Sequence, residues 1–365
     1  MSEVYFTDSR ARVMDPSEWF QPNLSLVNKL RFLIDKSGLF DFIEKNDIVA
    51  VKTHFGDRGT TKTLRSIYLR TIVKEIEKRG GRPFVTETTG LGLTRDRATA
   101  LGRLEIAEEN GYTSQTVGAP IIIADGLLGF DFVRVPINGK NLKEIYVAKA
   151  FEHVDKVVCA THFKLHMQGG IGGSIKNIGV GCVAKPSKFD LHCPNPPEIN
   201  ENCTECGLCV EICPVNAIEN FKINHSKCLK CIGCNEVCEY DAVTIGPWLS
   251  GADICERIVE CAKGVFEVVG KENFAFINFM IDVTPHCDCH PYSDNPIVPD
   301  VGIFASRDMV SVDAACLDVL KKLEANRDAL TGERKFWEWT SPEVQIEYAE
   351  KLGLGEKSYE IFAED

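Results

Sequence analysis

Apolar residues in most of this chain follow two periods, one typical of buried strands and the other typical of amphipathic helices. Short apolar runs predict strands, and apolar residues three and four positions apart predict helices between them. The predicted strands cover residues 47–54, 82–88, 120–124, 156–161, 274–283 and 301–306. The predicted helices cover residues 64–78, 94–110, 252–269, 310–323 and 341–352. Repeated strand–helix–strand units predict an α/β fold in which helices cover a mostly parallel sheet.

Single residues predict the faces and ends of these helices. The apolar face of the first helix is predicted to contain Leu64, Ile67, Ile72, Val73 and Ile76. Thr94 can cap the second helix, and Gly111 can end it in the left-handed conformation. Outside the cysteine-rich stretch, the predicted core thiols are Cys159, Cys255, Cys261 and Cys316.

Residues 198–246 break this pattern and contain eight closely spaced cysteines. They form two copies of the motif C-x2-C-x2-C-x3-C, offset by 25 residues. This spacing is the ligand run of a [4Fe–4S] cluster, in which the fourth cysteine of each run binds the other cluster. The sequence therefore assigns one cluster to Cys203, Cys206, Cys209 and Cys238. It assigns a second cluster to Cys228, Cys231, Cys234 and Cys213.

Other uses of these cysteines fit the spacing less well. Zinc sites use two C-x2-C pairs, and disulfide frameworks belong to small secreted chains. The clusters could carry electrons or only hold the segment together. Two adjacent clusters favour electron transfer, because one would suffice as a staple. Since exposed clusters of this type are often oxygen-labile, an anaerobic source is expected.

The domain boundaries follow from this inserted segment. A stiff linker, Pro194–Pro197, leads into it, and Gly246-Pro247 leads out. We expect the first part of the α/β domain at residues 1–197, the two-cluster insert at 198–246 and the second part of the α/β domain at 247–325. A C-terminal helical packing segment, with Trp337 and Trp339, is expected at 326–365.

Composition and charge limit the classes of function. The 365 residues are 44% hydrophobic, enough for one large domain or two ordinary ones. The net charge of −12 argues against nonspecific binding to nucleic acid or to a membrane surface. We expect a cytoplasmic protein with neither a membrane span nor a signal peptide. The acidic cysteine segment could dock on a basic patch of a redox partner protein.

A glycine-rich loop, His162 to Cys182, follows a predicted strand, where open α/β sheets bind their ligands. Four glycines could bring backbone N–H groups close to an anion: Gly169, Gly170, Gly172 and Gly173. Lys164 and Lys176 add positive charge. The loop lacks nucleotide-binding fingerprints, so no nucleotide is assigned. The candidate catalytic residues are His162, His166 and Lys176, because a histidine there could move a proton.

A second unusual loop, Thr284 to His290, also follows a predicted strand. The thiols of Cys287 and Cys289 and the imidazoles of His286 and His290 could bind a metal. The alternative is a loop whose polar groups only hold its turn. Other residues could converge on this loop: Cys182, Cys193, His192, His162 and His166.

Basic side chains gather at predicted strand ends and in the loops that follow them. They are Lys52, His54, Arg58, Arg95, Arg97, Lys164 and Lys176. In an acidic chain this grouping favours an anionic small-molecule ligand, although any one of them could simply be solvated.

Several segments together resemble the domain-of-unknown-function 362 (DUF362) family, and more narrowly its ferredoxin-containing members. They are Val51–Gly56, Thr86–Thr88, Arg95 with Arg97, Ala124–Gly126, His162–His166, Gly172–Asn177, Cys287–Cys289 and Val298–Gly302. The resemblance spans about residues 3–325 and implies an iron–sulfur protein of unestablished activity, with an inserted bacterial-type two-[4Fe–4S] ferredoxin domain. The chain departs from the family pattern at Glu87, Leu165 and His286, and from the usual ferredoxin proline at Glu239.

Three functional hypotheses remain. The first is an iron–sulfur redox protein whose clusters relay electrons to or from a site in the α/β domain, as a ferredoxin-linked oxidoreductase would. The second is a non-enzymatic electron-transfer subunit of a larger complex. The third is a metal or cluster assembly factor, with the C-x-C loop as a transient donor. The chain shows no flavin fingerprint.

Overall fold

A computed structural model of the protein describes residues 1–15, 17, 19–326 and 335–363. Strands β1 to β16 are, in order, Ser2–Asp8, Ile48–Lys52, Arg82–Glu87, Ile121–Ile123, Phe132–Pro136, Glu144–Ala148, Lys156–His162, Lys164–His166, Gly170–Gly172, Glu198–Ile199, Ile218–Glu219, Lys222–Ile223, Val243–Thr244, Phe274–Met280, Gly302–Ser306 and Tyr359–Ala363. Helices α1 to α11 are, in order, Leu26–Lys36, Ser66–Lys78, Ala100–Glu109, Ser114–Val117, Ser174–Gly179, Lys185–His192, Leu208–Glu211, Gly233–Glu236, Ala252–Val269, Met309–Lys322 and Pro342–Lys351.

Eight strands form the central sheet, in the order β16-β1-β15-β14-β7-β2-β3-β4. All neighbouring pairs are parallel except the two that β15 makes, with β1 and with β14. The predicted mostly parallel α/β sheet is therefore confirmed. Strand β14 is buried along its whole length, as expected where helices cover both faces of a sheet.

Successive strand residues point into two different cores, one on each face of the sheet. Val49 and Val51 pack with helices α1 and α2, whereas Ala50 between them packs with α9 and α10. This alternation follows from the two-residue period of a strand. The predicted core thiols are confirmed: Cys159, Cys255, Cys261 and Cys316 are all buried in the core that contains α9 and α10. Within the described residues, no helix combines the length and apolarity needed to span a membrane.

Two details of the predicted helices are wrong. Ile67 is 45% exposed, because it lies about 200° around α2 from the buried Leu69. Thr94 caps no helix: α3 begins at Ala100 and is capped by Thr99, whose side chain accepts from the Gly102 N–H. The preceding residues instead form a loop that contacts the cysteine segment. Gly111 does adopt the left-handed conformation, with φ of 84°.

Several elements are not predicted from the sequence: β1, the hairpin of β5 and β6, α1, α6 and β16. Helix α1 was missed although its apolar residues Leu30, Leu33 and Ile34 follow a helical period. In the expected C-terminal helical segment, α11 matches the predicted helix. However, β16 extends the central sheet by pairing in parallel with β1. Residues 327–334 and 364–365 of that segment lie outside the described residues.

The buried carboxylate of Asp313 in α10 anchors α5, the helix that follows the glycine-rich loop. It accepts hydrogen bonds from the backbone N–H groups of Ser174 (2.7 Å) and Ile175 (2.8 Å). It also accepts a bond from Asn278 Nδ2 of β14, at 2.7 Å. A carboxylate at a helix N-terminus satisfies N–H groups that have no partner within the helix. Asp313 therefore fixes where α5 begins.

We expect Asp313→Ala to lower the free energy of unfolding by about 2–4 kcal/mol, because three buried donors lose their acceptor. Urea-induced unfolding followed by circular dichroism measures the change. Asp318→Ala is the matched control on the exposed side of α10, where Tyr359 is the one donor to the carboxylate among the described residues. Equal losses in the two variants would contradict the anchoring role.

Candidate functional site

A cavity of about 680 Å³ opens at the carboxyl ends of β2, β3 and β7. Ligands of parallel α/β sheets bind at this edge. The loop after β2 contributes His54 and Arg58, and the loop after β3 contributes Thr88 to Leu91. The remaining walls come from the β8–β9 hairpin, from α5 and α6, and from Cys289 to Pro291. The cavity is therefore built where the sheet topology favours a ligand site.

A buried ion network forms one wall of this cavity. Glu87, at the end of β3, pairs with Lys52 (3.2 Å) and Arg103, and accepts from the Phe55 N–H at 3.1 Å. Burial alone would raise the pKa of Glu87, but the charges of Lys52 and Arg103 hold it well below its ordinary value. Lys52 also donates to Asn177 Oδ1 at 2.7 Å. The network thus joins β2, β3, α3 and α5.

Positive side chains outnumber negative ones around the cavity. Its cationic residues are Arg58, Arg95, Arg97, Arg103, Lys164, Lys176 and Lys188, and its acidic residues are Asp57, Glu87 and Asp96. Of the basic residues that the sequence groups together, six line the cavity, while Lys52 lies behind it. Lys176 and Lys188 have no carboxylate within ion-pair distance in the described part of the chain. Their charges are therefore available to an anionic ligand.

Lys188 is a cavity residue that the sequence analysis misses. Its ammonium donates to Thr88 Oγ1 at 2.5 Å and to the Thr89 carbonyl. Burial lowers the pKa of Lys188 to about 8, although Asp125 and Glu87 oppose the shift. One sequence feature could have located Lys188. Pro186 lies in the first turn of α6, and a proline there is typical of a helix start, which would have placed Lys188 on a helix.

The loop after β14 forms a tight turn from Cys287 to His290. The His290 N–H donates to the Cys287 carbonyl at 3.0 Å. Between the two thiols, Asp288 points into the protein and pairs with His162 Nδ1 (3.0 Å) and Lys164 Nζ (3.1 Å). Burial would raise the pKa of Asp288, but the charges of His162 and Lys164 hold it far below its ordinary value. This buried ion pair fixes the turn.

His162, a candidate catalytic residue, lies beneath this turn and outside the cavity lining. Its Nε2 faces the carbonyls of Ile281 (2.9 Å) and Asp282 (3.2 Å), and its Nδ1 faces Asp288. Each ring nitrogen thus faces oxygen atoms of the protein. Its arrangement is that of a positioning residue, with no ring nitrogen free for a ligand.

His166, from β8, approaches the C-x-C turn directly. Its Nδ1 accepts from the backbone N–H groups of Gln168 (3.2 Å) and Gly169 (3.1 Å). Burial lowers the pKa of His166 to about 3, so the ring is neutral at pH 7. Because Nδ1 accepts, the single proton lies on Nε2. Nε2 lies 3.9 Å from Cys289 Sγ.

The thiols of Cys287 and Cys289 and the imidazole of His166 offer three atoms that all lie within 4.8 Å of one another. Lys176 Nζ approaches Cys287 Sγ at 3.6 Å. The hydrogen bond from the Cys287 thiol, together with the charge of Lys176, lowers the pKa of Cys289 to about 6 against the effect of burial. The same hydrogen bond and burial raise the pKa of Cys287. The pair therefore holds one thiolate near neutral pH.

Three converging ligand atoms are what an open metal site needs. However, a metal-binding histidine donates its other ring nitrogen to an acceptor, whereas Nδ1 of His166 accepts from two N–H groups. Lys164, Lys176 and Arg97 also place positive charge around the thiols. The arrangement suits an activated thiolate better than a divalent cation, and metal binding here stays a prediction.

The other predicted site residues separate into two groups. Gly172 and Gly173 line the cavity, whereas Gly169 and Gly170 lie against Gln345 and Pro342 near α11. His192 and His290 line the cavity too. Cys182 lies near the Asn177 carbonyl, Cys193 packs with Phe189 and Ile232, and His286 stacks near Trp337. His166 offers a ring nitrogen within 4.8 Å of both thiols, and Nδ1 of His290 lies 3.7 Å from Cys289 Sγ.

The cysteine segment repeats its backbone conformation with the same offset as its sequence. It contains α7 and α8 and two small antiparallel sheets, β10 with β13 and β11 with β12. Positive φ angles recur 25 residues apart, at Glu205 and Lys230, at Gly207 and Ile232, and at Asn216 and Asp241. Ile232 has φ of 64°, which a β-branched residue adopts only under constraint. Each loop therefore holds the same left-handed bends around its thiols.

Each predicted cysteine quartet borders an apolar cavity of its own. Cys213 of the first run joins Cys228, Cys231 and Cys234. Cys238 of the second run joins Cys203, Cys206 and Cys209. The cysteines that border each cavity are those that the spacing assigns to one cluster, and cluster binding stays a prediction.

The loop of residues 88–98 joins this segment to the large cavity. The Gly92 N–H donates to the Cys231 carbonyl at 2.9 Å. Glu236 of α8 accepts from the backbone N–H groups of Leu93 (2.6 Å) and Thr94 (3.0 Å). Thr89, where the loop begins, donates its N–H to Asp125 at 2.9 Å. One side of the loop therefore contacts the cysteine segment while the other borders the cavity.

Comparisons with known proteins identify a family for this chain. The sequence model of the family described as "Domain of unknown function (DUF362)" matches residues 49–318. No curated protein matches the chain. Among solved structures, the lactate racemase apoprotein from Thermoanaerobacterium thermosaccharolyticum is similar over 80% of this chain and 53% of that chain, with 13% identity and a TM-score of 0.42. The chain thus spans about half the length of that structure.

We expect Glu87→Gln to lower the free energy of unfolding by about 3–5 kcal/mol, because Lys52 and Arg103 would stay buried without a counter-charge. Urea-induced unfolding under anaerobic conditions measures this change. Glu109→Gln, which weakens only the exposed pair with Arg58 at 3.3 Å, is the control and should cost less than about 1 kcal/mol. A small loss at Glu87 would show that its charge is dispensable.

Cys289 should react with iodoacetamide at a rate that rises through a pH of about 6, since its pKa is lowered to about 6. Peptide mass spectrometry follows the rate. Lys176→Met should move this midpoint to higher pH, because the thiolate loses a neighbouring cation. The surface variant Lys227→Met should leave it unchanged. A midpoint at the pH of an ordinary thiol in the native protein would exclude the activated thiolate.

Proposed function

This chain belongs to the DUF362 family, and we propose that it is an iron–sulfur redox protein. Two [4Fe–4S] clusters in the cysteine segment would relay electrons to or from the cavity of the α/β domain, whose ligand is an anionic small molecule. The observation that carries the proposal is the separation of eight thiols into two quartets, each around its own apolar cavity. These are the quartets that the crossed ligand rule of a two-cluster ferredoxin requires.

The spacing of the thiols fits a cluster better than a single ion. The structure describes all eight cysteines of the segment, and no three of their sulfurs come within 4.8 Å of one another. Four sulfurs around one zinc ion, each at about 2.3 Å from the metal, would lie within about 4 Å of one another. Thiolates of a cubane lie farther apart, because each binds a different iron.

The chain supplies further groups that suit cluster thiolates. The Ala217 N–H donates to Cys213 Sγ at 3.2 Å, and the Lys230 N–H donates to Cys228 Sγ at 3.3 Å. Hydrogen bonds of this kind tune the potential of a cluster, which would supply electron transfer when bound. In this proposal, residues 198–246 are a ferredoxin-like domain inserted into the α/β domain.

Contact between the cysteine segment and the cavity favours electron transfer over a purely structural role. Ile232 borders the cavity of the second quartet, and its side chain packs in the same apolar group as Leu91. Leu91 in turn lines the large cavity. A segment needed only as a staple would not have to adjoin a ligand cavity. The cavity with its activated thiolate also favours an enzyme over a docking scaffold.

The first quartet faces solvent and suits a redox partner protein. Cys206 is exposed, and exposed acidic residues surround its quartet: Glu201, Glu205, Glu239 and Asp241. A partner with a basic patch could therefore dock close to this quartet. Electrons would then pass between the partner and the quartet beside the cavity.

Anaerobically purified protein should contain about eight iron atoms per chain, as two cubanes require. Cys213→Ala should lower the count to about four, because only the second quartet loses a ligand. Metal analysis by mass spectrometry gives both counts, and Cys193→Ala, which alters a buried thiol outside both quartets, should retain about eight. Two zinc ions per chain in place of iron would overturn the proposal.

A further inference from the structure

The C-x-C turn places two thiols together in an asymmetric arrangement. Their sulfurs lie within 4.8 Å of each other. The turn is closed by a hydrogen bond from the His290 N–H to the Cys287 carbonyl, at 3.0 Å. Residues two apart in such a turn have α-carbons close enough for a disulfide. Cys289 borders the cavity, whereas Cys287 is only 1% exposed. One thiol can meet a ligand, and the other can meet only its neighbour.

The groups around this pair favour negative charge on sulfur. Nε2 of His166 carries the ring proton and faces Cys289 Sγ at 3.9 Å. Lys176 Nζ lies 3.6 Å from Cys287 Sγ. The proton on Nε2 can be donated to a thiolate, and the charge of Lys176 stabilises a thiolate and opposes a bound cation.

The same loop contacts this turn and the cysteine segment. Arg97 Nη1 donates to the Cys289 carbonyl at 2.7 Å. Five residues earlier, the Gly92 N–H donates to the Cys231 carbonyl at 2.9 Å. The two thiols and the second quartet therefore lie on either side of residues 88–98.

We propose that Cys287 and Cys289 are a redox-active dithiol that exchanges two electrons with the two clusters, an inference that rests on the proposed function. Oxidation forms a bond between the two Sγ atoms, releases the thiol proton of Cys287 and gives up two electrons. A [4Fe–4S] cluster is a one-electron acceptor, so two clusters match the capacity of one dithiol. Reduction reverses each change.

The external substrate of this dithiol is a small anionic disulfide. The Cys289 thiolate attacks one sulfur of the substrate, forms a mixed disulfide and releases one thiolate. Cys287 then attacks Cys289 Sγ, which forms the internal disulfide and releases the second thiol. A cavity of about 680 Å³ admits a small molecule, and Lys188 supplies a charge that no carboxylate of the described residues neutralises.

Dithiobis(nitrobenzoate), a dianionic aromatic disulfide, tests the dithiol directly. Protein reduced with dithiothreitol and desalted anaerobically should release about two thionitrobenzoate ions per chain from one reagent molecule. Cys287→Ser should release about one ion and keep the other as an adduct on Cys289. The remaining cysteines outside the cluster segment are buried and serve as a silent background. A lasting adduct on the native protein, or protection of both thiols by an additional metal ion, would overturn the dithiol.

Coulometric titration counts the electrons independently. The fully oxidised native protein should accept about four electrons per chain, and Cys287→Ser about two. Cys193→Ala, the matched control, should accept about four. Uptake of about two electrons by the native protein overturns the dithiol and leaves the proposed function standing. A protein without iron overturns the proposed function. In that case the unligated thiols of residues 198–246 react too, and the dithiol is read instead from a Cys287–Cys289 disulfide in the peptide mass spectrum of the oxidised protein.

The anionic class of substrate has its own test. The rate of the protein with each disulfide is first divided by the rate of a free small thiol with the same disulfide. The relative rate with dithiobis(nitrobenzoate) is then divided by the relative rate with a neutral dipyridyl disulfide. This ratio should exceed one in the native protein and fall several-fold in Lys188→Met, which removes a cavity cation without touching either thiol. An unchanged ratio in the variant overturns the anionic class.

Discussion

Burial of charge at the carboxyl edge of the sheet is the constraint on which this site depends. Glu87 holds Lys52 and Arg103, and Asp288 holds His162 and Lys164, each time between elements that are far apart in the chain. A buried charge without a partner is costly, so each pair fixes the elements that carry it. Two further cations, Lys176 and Lys188, have no carboxylate within ion-pair distance among the described residues, and both line the cavity. The positive character of the cavity thus follows from an unequal supply of buried acids and bases.

The loop of residues 88–98 connects the cavity with the cysteine segment. At its start, the Thr89 N–H donates to the buried Asp125, and in its middle backbone N–H groups donate to Glu236 of the cysteine segment. At its end, Arg97 donates to the Cys289 carbonyl. These bonds explain why α3 begins later than its apolar pattern predicts: Leu93 and Thr94 are held on Glu236 of α8, and Asp96–Ala98 form a separate 3-10 turn. A displacement of the cysteine segment would therefore reach the cavity wall through backbone hydrogen bonds.

Much of the α/β frame could be predicted, because strands buried on both faces read as apolar runs and helices between them show a clear period. The elements that were missed, such as α6 and the edge strand β16, have weak patterns and depend on their neighbours for stability. In the candidate site, the sequence pointed to His166, Lys176, Cys287 and Cys289, which do come together. It could not distinguish His162 as a positioning residue, because that role depends on which acceptors its ring nitrogens meet.

The sequence by itself predicted the two cysteine quartets, since the spacing within a short segment limits which thiols could reach one cluster. It also determined the acidic charge of the chain and the alternation of strands and helices. Only the tertiary structure decided what the C-x-C turn can do. The proton on His166 is fixed by backbone N–H groups, the turn is held by an Asp288–His162 pair separated by 126 residues, and Lys176 approaches Cys287 across 111 residues. Chemistry that depends on contacts between such distant residues is set by packing, and local spacing does not encode it.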